Sequence, residues 1–213
     1  MDALILAAGY GMRMENLTKD TPKPLLKIKN KTLISYAIDL IKNMSFDKIY
    51  INTHYKHNML EKFVSENYPD ISISYEETIL GTGGGIKNIQ RNDTVILNTD
   101  NLWDQSFENE LKKSIKFFDE NKNFDSVLLI NSKNNNFDLE VNNEGLINFP
   151  SKLCNTSFQG CHIIRKNSLR PYPEIFNIQD FWKDCSLNEK IYGYETTIIN
   201  AHVGTKDEYL KYK

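Results

Sequence analysis

Short apolar runs alternate with helical patterns through the first 130 residues of this 213-residue chain. The apolar runs have the length of buried strands and lie at 3–7, 47–52, 71–75, 94–98 and 126–130. Between the runs, apolar side chains recur at helical spacing, namely Leu33, Tyr36, Ala37, Leu40 and Ile41, then Leu60, Phe63 and Val64, then Phe107, Leu111, Ile115 and Phe118. This alternation predicts an α/β fold, with a mostly parallel, Rossmann-like sheet flanked by helices.

The first predicted strand runs directly into a glycine loop and two cations. Residues 6–11 read Leu-Ala-Ala-Gly-Tyr-Gly, and Arg13 follows them. Because glycine lacks a Cβ, such a loop can bring its backbone close to a phosphate. Arg13 offers a planar fork for phosphate oxygens, and Lys23 is held between Pro22 and Pro24, which restrict its backbone. The segment therefore predicts a phosphate-bearing ligand and phosphoryl chemistry.

Two common phosphate-loop motifs are excluded. The third glycine of a dinucleotide-binding G-x-G-x-x-G would fall at Met14, and the next strand ends in Asn52-Thr53, where an acidic ribose ligand would be expected. The Walker pattern G-x-x-x-x-G-K-[ST] occurs nowhere in the chain.

A second glycine run lies at residues 81–85 and follows an acidic residue, Glu76. The run either forms a tight turn into a helix at 86–90 or brings backbone amides and that helix start against a nucleotide. An ionised carboxylate accepts a hydrogen bond from N3–H of uracil or thymine, or from N1–H and the amino group of guanine. It pairs badly with N3 of cytosine. Glu76 is therefore a candidate for reading the base.

The predicted strand at 94–98 ends in Asn98-Thr99-Asp100. In open α/β sheets, ligands sit at the carboxyl ends of the strands, so Asp100 is placed to hold Mg²⁺. The alternative is an aspartate that caps the next turn.

These segments together resemble the sugar-1-phosphate nucleotidylyltransferases. Residues 6–25 match the signature L-A-A-G-x-G-x-R-x-x-x-L-T-x-x-x-P-K-P-L at every fixed position. The resemblance implies transfer of a nucleotidyl group from a nucleoside triphosphate to a sugar 1-phosphate. It assigns catalysis to Arg13, Lys23 and Asp100, with Mg²⁺ as cofactor and Mn²⁺ as the alternative.

The resemblance also implies which residues contact each substrate. Those that would bind the nucleotide are Leu6, Ala7, Ala8, Gly9, Gly11, Glu76, Gly81 and Thr82. Those that would bind the sugar are Gly83, Gly84, Asn98, Asp138, Gln159 and Gly160.

One position departs from the family pattern. Where the family has Asp-x-Gly-Thr, with the aspartate as second metal ligand, this chain has His202-Val203-Gly204-Thr205. Either His202 ligates the metal and favours ions softer than Mg²⁺, or it is merely packed and the site works with Asp100, phosphates and water.

Within the family, the Asn52-x-His54-Tyr55 turn, the glycine run and residues 97–103 are most similar to the N-acetylmuramate alpha-1-phosphate uridylyltransferases of cell-wall recycling. UTP and N-acetylmuramate 1-phosphate are therefore the expected substrates. A guanylyltransferase that uses GTP and heptose or mannose 1-phosphate is the alternative, and phosphocholine cytidylyltransferases rank third. The change at His202 leaves a further class open, a nucleotide-sugar-binding protein with impaired catalysis.

Composition excludes other classes of function. With 26 Lys and Arg against 28 Asp and Glu, no broad basic surface for nucleic acid or anionic lipid is expected. No apolar run approaches the roughly 20 residues of a membrane span. Cys154, Cys161 and Cys185 lack metal-ligand spacing, so we expect reduced thiols and a cytoplasmic protein. For the assembly, monomer and homodimer both stay open.

The expected organisation is one domain over residues 1–213, with the nucleotide-binding part at 1–130 and the sugar-binding part at 131–213. After an Asn-rich stretch at 133–137, short strands at 139–141, 146–149 and 158–164 predict an antiparallel insertion on the sugar side. A helix near 178–185, a strand at 197–202 and a closing helix from Lys206 complete the chain. His54 and His162 are predicted to be structural.

Overall fold

The computed structural model describes residues 1–133 and 136–213, so residues 134 and 135 of the Asn-rich stretch lie outside the described residues. The strands are β1 (Asp2–Leu6), β2 (Lys27–Ile28), β3 (Lys31–Thr32), β4 (Ile49–Thr53), β5 (Ser72–Tyr75), β6 (Thr94–Asn98), β7 (Asn101–Leu102), β8 (Ser126–Asn131), β9 (Glu140–Val141), β10 (Ile147–Asn148), β11 (Ser157–Ile164), β12 (Ile191–Glu195) and β13 (Ala201–His202). The α-helices are α1 (Leu33–Ile41), α2 (His57–Asn67), α3 (Gly81–Ile89), α4 (Phe107–Glu120), α5 (Ile178–Leu187) and α6 (Lys206–Tyr212). Two 3₁₀ helices, Met12–Thr18 and Lys23–Leu25, follow β1.

The central sheet has seven strands in the order β12-β8-β11-β6-β1-β4-β5. Strand β1 pairs in parallel with β4 and β6, β4 with β5, and β8 with β12, whereas β11 is antiparallel to both of its neighbours. The predicted mostly parallel sheet with flanking helices is therefore confirmed. Because β1, β4, β5 and β6 run in the same direction, the loops that follow them meet at one edge.

Helices cover both faces of this sheet. Along β1, Ala3 and Ile5 face a core formed with α1, α2 and α4, while Leu4 faces a second core formed with α3 and α5. This alternation is the two-residue period of a strand that is buried on both faces. A third cluster, which includes Met14 and Val203, packs the turn after β1 against the C-terminal segment.

The five strands predicted in the first part of the chain are all present, with ends that differ by at most two residues. The predicted antiparallel pieces at 139–141 and 146–149 form the small sheet of β9 and β10. Among the described residues, no helix is long and apolar enough to cross a membrane.

The structure corrects two elements of the second part. The run at 158–164 was expected in the insertion, but β11 lies inside the central sheet between β8 and β6, and almost all of its residues are buried there. The strand expected at 197–202 is reduced to Ala201–His202, and the preceding strand of the central sheet is Ile191–Glu195, which the sequence did not predict.

Candidate active site

A cavity of about 420 Å³ lies at the carboxyl ends of β1, β4, β5 and β6. It is lined by Leu6, Ala7, Ala8, Gly9, Gly11, Met12, Arg13, Lys23, Pro24, Asn52, Glu76, Ile79, Gly81, Thr82, Asn98, Thr99, Asp100, Asn177 and Gly204. All the predicted nucleotide-binding residues, the three predicted catalytic residues and Asn98 are therefore brought together. Of the predicted site residues that the structure describes, Gly83, Gly84, Asp138, Gln159, Gly160 and His202 are not part of this lining.

The loop after β1 is shaped by Gly11. Its φ of 68° lies in the left-handed region, and a Cβ there would stand 3.0 Å from Thr18 Cγ2 and 3.1 Å from Lys23 Cβ. Thr18 Oγ1 donates to the Gly11 carbonyl at 3.2 Å and closes the turn. Glycine is therefore required at this position both by the conformation and by the space. Arg13 leaves the turn with its side chain 65% exposed beside the cavity.

Lys23 is buried at the base of the cavity. Its Nζ donates to Asp100 Oδ2 at 3.0 Å and to the Gly204 carbonyl at 3.4 Å. Burial lowers the pKa of Lys23 below its ordinary value, against the pull of Asp100 and with a further lowering from Arg13. A partly desolvated ammonium interacts more strongly with a phosphate than an exposed one does.

The carboxylate of Asp100 balances the positive charge of the Lys23 ammonium. Its Oδ2 lies 3.0 Å from Lys23 Nζ, 3.5 Å from His202 Nε2 and 3.8 Å from Arg13 Nη2. Burial would raise the pKa of Asp100, but His202 and Lys23 together hold it well below its ordinary value. The carboxylate is therefore ionised at neutral pH.

The ring of His202 lies between two carboxylates. Its Nδ1 lies 3.3 Å from Glu208 Oε2, and Glu208 Oε2 in turn accepts from Thr205 N at 2.9 Å. Asp100, with Glu208, raises the pKa of His202 above its ordinary value, although burial opposes this. In this arrangement His202 is an ion-pair partner of Asp100, and its predicted role as a metal ligand stays a prediction.

The ring of His202 also explains Gly204. A Cβ on Gly204 would overlap this ring and stand 2.7 Å from its Nε2. The glycine therefore makes the space in which the ring lies against Asp100.

No group of three or more His, Cys, Asp or Glu side chains that could hold a metal ion by itself occurs among the described residues. Asp100 Oδ1, however, is a buried oxygen without a hydrogen-bond partner in the described part of the chain. Mg²⁺ is commonly bound by one or two carboxylates together with phosphate oxygens and water. Asp100 fits this kind of site as a single protein ligand.

The second glycine run is part of a helix, and its glycines are explained by packing. The amides of Gly83 and Gly84 donate to the Phe176 carbonyl at 3.1 and 3.2 Å. A Cβ on Gly83 would stand 2.6 Å from Cζ of the Phe176 ring, and one on Gly84 would overlap the Glu174 carbonyl oxygen. These two glycines lie beneath the segment that precedes α5, and this placement does not support their predicted contact with a sugar.

The predicted sugar-side residues are also engaged elsewhere. The Gln159 amide is buried, donates to Ser157 Oγ at 2.9 Å and accepts from Asn200 N at 2.9 Å. Asp138 accepts from Phe158 N at 2.8 Å, and burial raises the pKa of Asp138. Both ends of the Gln159 amide form hydrogen bonds within the protein, so its predicted contact with a sugar is not supported.

Gly160 has a φ of 74°, and a Cβ there would stand 2.6 Å from Asn101 Cγ. The register of β11 shifts between Phe158 and His162, so Gly160 forms the bulge of this strand. Its glycine is thus explained by backbone conformation and by the neighbouring side chain.

Two asparagines are among the lining residues of the cavity that sequence reasoning did not identify as site residues. Asn177 precedes α5 and makes no capping hydrogen bond through its side chain, which borders the cavity next to Gly81. Nothing local in the sequence identifies it. Asn52 ends β4, and its position as a polar residue at the carboxyl end of a strand is the signal that could have found it.

Comparison with known proteins agrees with the resemblance carried by the N-terminal signature. The family model described as nucleotidyl transferase matches residues 2–138. A D-glycero-alpha-D-manno-heptose 1-phosphate guanylyltransferase of Aneurinibacillus thermoaerophilus is 30% identical over an alignment of 229 positions including gaps, which covers 99% of this chain and 96% of that protein. An N-acetylmuramate alpha-1-phosphate uridylyltransferase of Caulobacter vibrioides is 26% identical over 221 residues, with 95% and 91% covered.

Among solved structures, HddC from Yersinia pseudotuberculosis complexed with GMP-PN superposes with a TM-score of 0.78 at 22% identity. The match covers 99% of this chain and 97% of that one. The inositol-1-phosphate CTP transferase from T. maritima has the same TM-score of 0.78 at 14% identity, with 97% and 90% covered. These two likenesses concern the fold.

Proposed function

The chain belongs to the nucleotidyl transferase family, and from that premise we propose that it joins a nucleoside triphosphate to a sugar 1-phosphate with release of pyrophosphate. The observation that carries the proposal is the buried pair of Lys23 and Asp100 at 3.0 Å, at the base of a cavity whose rim is the glycine loop. The pair puts a fixed cation and a fixed anion where the phosphates of a nucleotide would lie.

The reaction needs an attacking oxygen in line with the leaving pyrophosphate, and cations that stabilise the charge on the transferred group. A sugar 1-phosphate supplies an oxygen that is already anionic, so no side chain has to remove a proton. Arg13, which is mostly exposed, binds the β- and γ-phosphates, and Lys23, which is buried, binds the α-phosphate and the incoming phosphate. Catalysis then comes from positioning and electrostatics.

Asp100 Oδ1 would hold a divalent metal together with the nucleotide's phosphates. A metal bound there would neutralise phosphate charge and help to align the reacting groups. His202 holds the other oxygen of Asp100 in place.

For the substrates, we rank GTP with a heptose 1-phosphate first, because the guanylyltransferase relative is 30% identical over nearly the whole chain. The Glu76 carboxylate is compatible with this choice, since guanine presents N1–H and an amino group to an acceptor, and it is compatible with uracil through N3–H as well. UTP with N-acetylmuramate 1-phosphate, the pair favoured by the sequence motifs, ranks second on the 26% identity of the uridylyltransferase relative.

The test is pyrophosphate release from GTP, UTP, CTP and dTTP, each with heptose, mannose, N-acetylmuramate and N-acetylglucosamine 1-phosphates and with Mg²⁺ or Mn²⁺. We expect turnover with one sugar class and with GTP or UTP, and a turnover about 100- to 1000-fold slower with K23M. Turnover with UTP and the muramate alone would select the second pair. Nucleotide binding without pyrophosphate release in any mixture would contradict the proposal and would favour a binding protein with impaired catalysis.

A further inference from the structure

A buried chain of hydrogen bonds connects the loop after β1 to Glu76. The backbone N–H of Ala7 donates to Asn52 Oδ1 at 2.8 Å, and Asn52 Nδ2 donates to Glu76 Oε1 at 2.7 Å. Each of these three residues is less than 5% exposed. Because a backbone N–H can only donate, the oxygen of the Asn52 amide must face Ala7 and its NH₂ group must face Glu76. Glu76 is therefore required to accept.

The second carboxylate oxygen of Glu76 is fixed as well. It accepts from the backbone N–H of Leu80 at 3.0 Å. Gly85 leaves the room for this arrangement, since a Cβ there would stand 2.7 Å from Glu76 Oε1 and 2.9 Å from Asn52 Nδ2. The third glycine of the G-G-G run is thus explained by the relay of Ala7, Asn52, Glu76 and Leu80.

The backbone of Glu76 has its own tie to the same loop. His54 Nδ1 lies 2.8 Å from the Glu76 carbonyl, which can only accept, so Nδ1 carries the hydrogen. In the neutral ring, His54 Nε2 then accepts from the Tyr10 hydroxyl at 3.1 Å. His54 is structural, as predicted, but what it holds is the glycine loop and Glu76 together.

We infer that Asn52 is a positioning residue that fixes Glu76 as a hydrogen-bond acceptor and thereby determines which nucleobase the cavity takes. The inference rests on the proposed function, because it assigns the nucleobase to the end of the cavity that Glu76 borders. A carboxylate whose bonds to Asn52 and Leu80 are satisfied keeps lone pairs for a base that offers N–H groups. Guanine and uracil do so at this edge, whereas cytosine presents N3 as an acceptor.

Asn52→Asp tests this with little change in size. The new carboxylate can still accept from Ala7 N–H, but it faces Glu76 oxygen to oxygen. Because two carboxylates at this separation cannot both be ionised, one of them must take up a proton from solvent, which lowers stability near neutral pH. Glu76→Gln breaks the hydrogen-bond chain in a different way. Asn52 Nδ2 and Leu80 N–H both donate to residue 76, so the NH₂ group of a glutamine there must face one of these two donors.

The double variant N52D/E76Q restores the relay with reversed polarity. The introduced amide donates to the introduced carboxylate and accepts from Leu80 N–H, and the second hydrogen of its NH₂ group is left for the base. We therefore expect the double variant to recover stability but to prefer a different base.

Two measurements are needed on the wild type, N52D, E76Q and N52D/E76Q. The first is urea unfolding without nucleotide, and the second is kcat/KM for the preferred nucleotide and for CTP. Each single variant should lower kcat/KM for GTP or UTP by about 10- to 100-fold, the loss expected for a charge-assisted hydrogen bond. The double variant should unfold at a higher urea midpoint than either single variant. Its preference for GTP or UTP over CTP should fall by about tenfold or more, because it now offers a donor.

A matched control is Asn98→Asp, which adds the same charge to the cavity at the end of β6, on the other side of β1 from β4. Combined with E76Q, it should show no recovery. Three results would overturn the inference: N52D with unchanged stability and base preference, a double variant no more stable than the single variants, or a double variant that recovers the original preference. Absence of turnover and of nucleotide binding in the wild type would refute the proposed function and the assignment of the base with it, whereas the unfolding cycle would still report on the relay.

Discussion

The packing of Phe176 on Gly83 gives a prediction that can be worked from the structure. A Cβ on Gly83 would stand 2.6 Å from Cζ and 2.7 Å from Cδ2 of a ring that is 7% exposed and stacked on Tyr172 at 4.9 Å between centroids. Carbon atoms in contact are separated by about 3.5 to 4.0 Å, so Gly83→Ala overlaps the ring by about 1 Å. Overpacking of this extent costs about 3 kcal/mol, and alanine regains about 1 kcal/mol of helix propensity.

The expected net loss is therefore about 2 kcal/mol of unfolding free energy, or roughly 4 to 8 °C in Tm for a chain of this size. In a Phe176→Ala background the ring is gone and only the propensity gain remains. G83A should then stabilise the protein by about 1 kcal/mol, which makes the coupling between the two sites about 3 kcal/mol.

The assay is urea unfolding of the wild type, the two single variants and the double variant. Phe176→Leu replaces F176A if the larger truncation leaves too little stability to measure. Gly9→Ala is the matched control, because a Cβ there meets nothing within 4 Å, so its stability should stay within about 0.5 kcal/mol of the wild type. If the losses of unfolding free energy in G83A and F176A add up, within about 0.5 kcal/mol, to the loss in the double variant, the reasoning is refuted. Such additivity would show that the Phe176 ring does not require glycine at position 83.

Three further predictions concern the site and the core. Lys23→Met should lower kcat about 100- to 1000-fold, because it removes the buried cation beside Asp100, and a loss below tenfold in pyrophosphate release would contradict this role. Gly204→Ala should expel the His202 ring and lower unfolding free energy by about 1 to 3 kcal/mol, and an unchanged urea midpoint would refute the packing argument. Burial lowers the pKa of His162 to about 3 from 6.5. The unfolded chain therefore binds a proton that the folded protein does not, and stability that is complete above pH 6.5 should fall by roughly 2 kcal/mol on acidification to about pH 5. His162→Phe should flatten that slope, and a wild-type curve without it would contradict the assignment.

Much of the site could be predicted because it depends on chain connectivity. Arg13, Glu76 and Asp100 each follow a strand that the apolar pattern identifies, and the loops after parallel strands meet at one edge of the sheet. Lys23 joins them through a short segment whose two prolines are visible in the sequence.

The placements that the sequence could not predict depend on contacts between distant segments. Gly83 and Gly84 meet a segment about 90 residues further along the chain, which local patterns do not report. Gln159 has the polarity of a sugar ligand, but its amide is used within the protein once β11 enters the central sheet.

The sequence by itself therefore determined the α/β class, the edge of the sheet where the cavity lies, and the cations and carboxylates at that edge, because these follow from local periodicity and from the direction of successive strands. Only the tertiary structure decided what those groups do to one another. That His202 lies beside Asp100 and Glu208, and that Glu76 accepts from Asn52, depend on which groups from distant segments come within about 3 to 3.5 Å, since hydrogen bonds and ion pairs act over such distances.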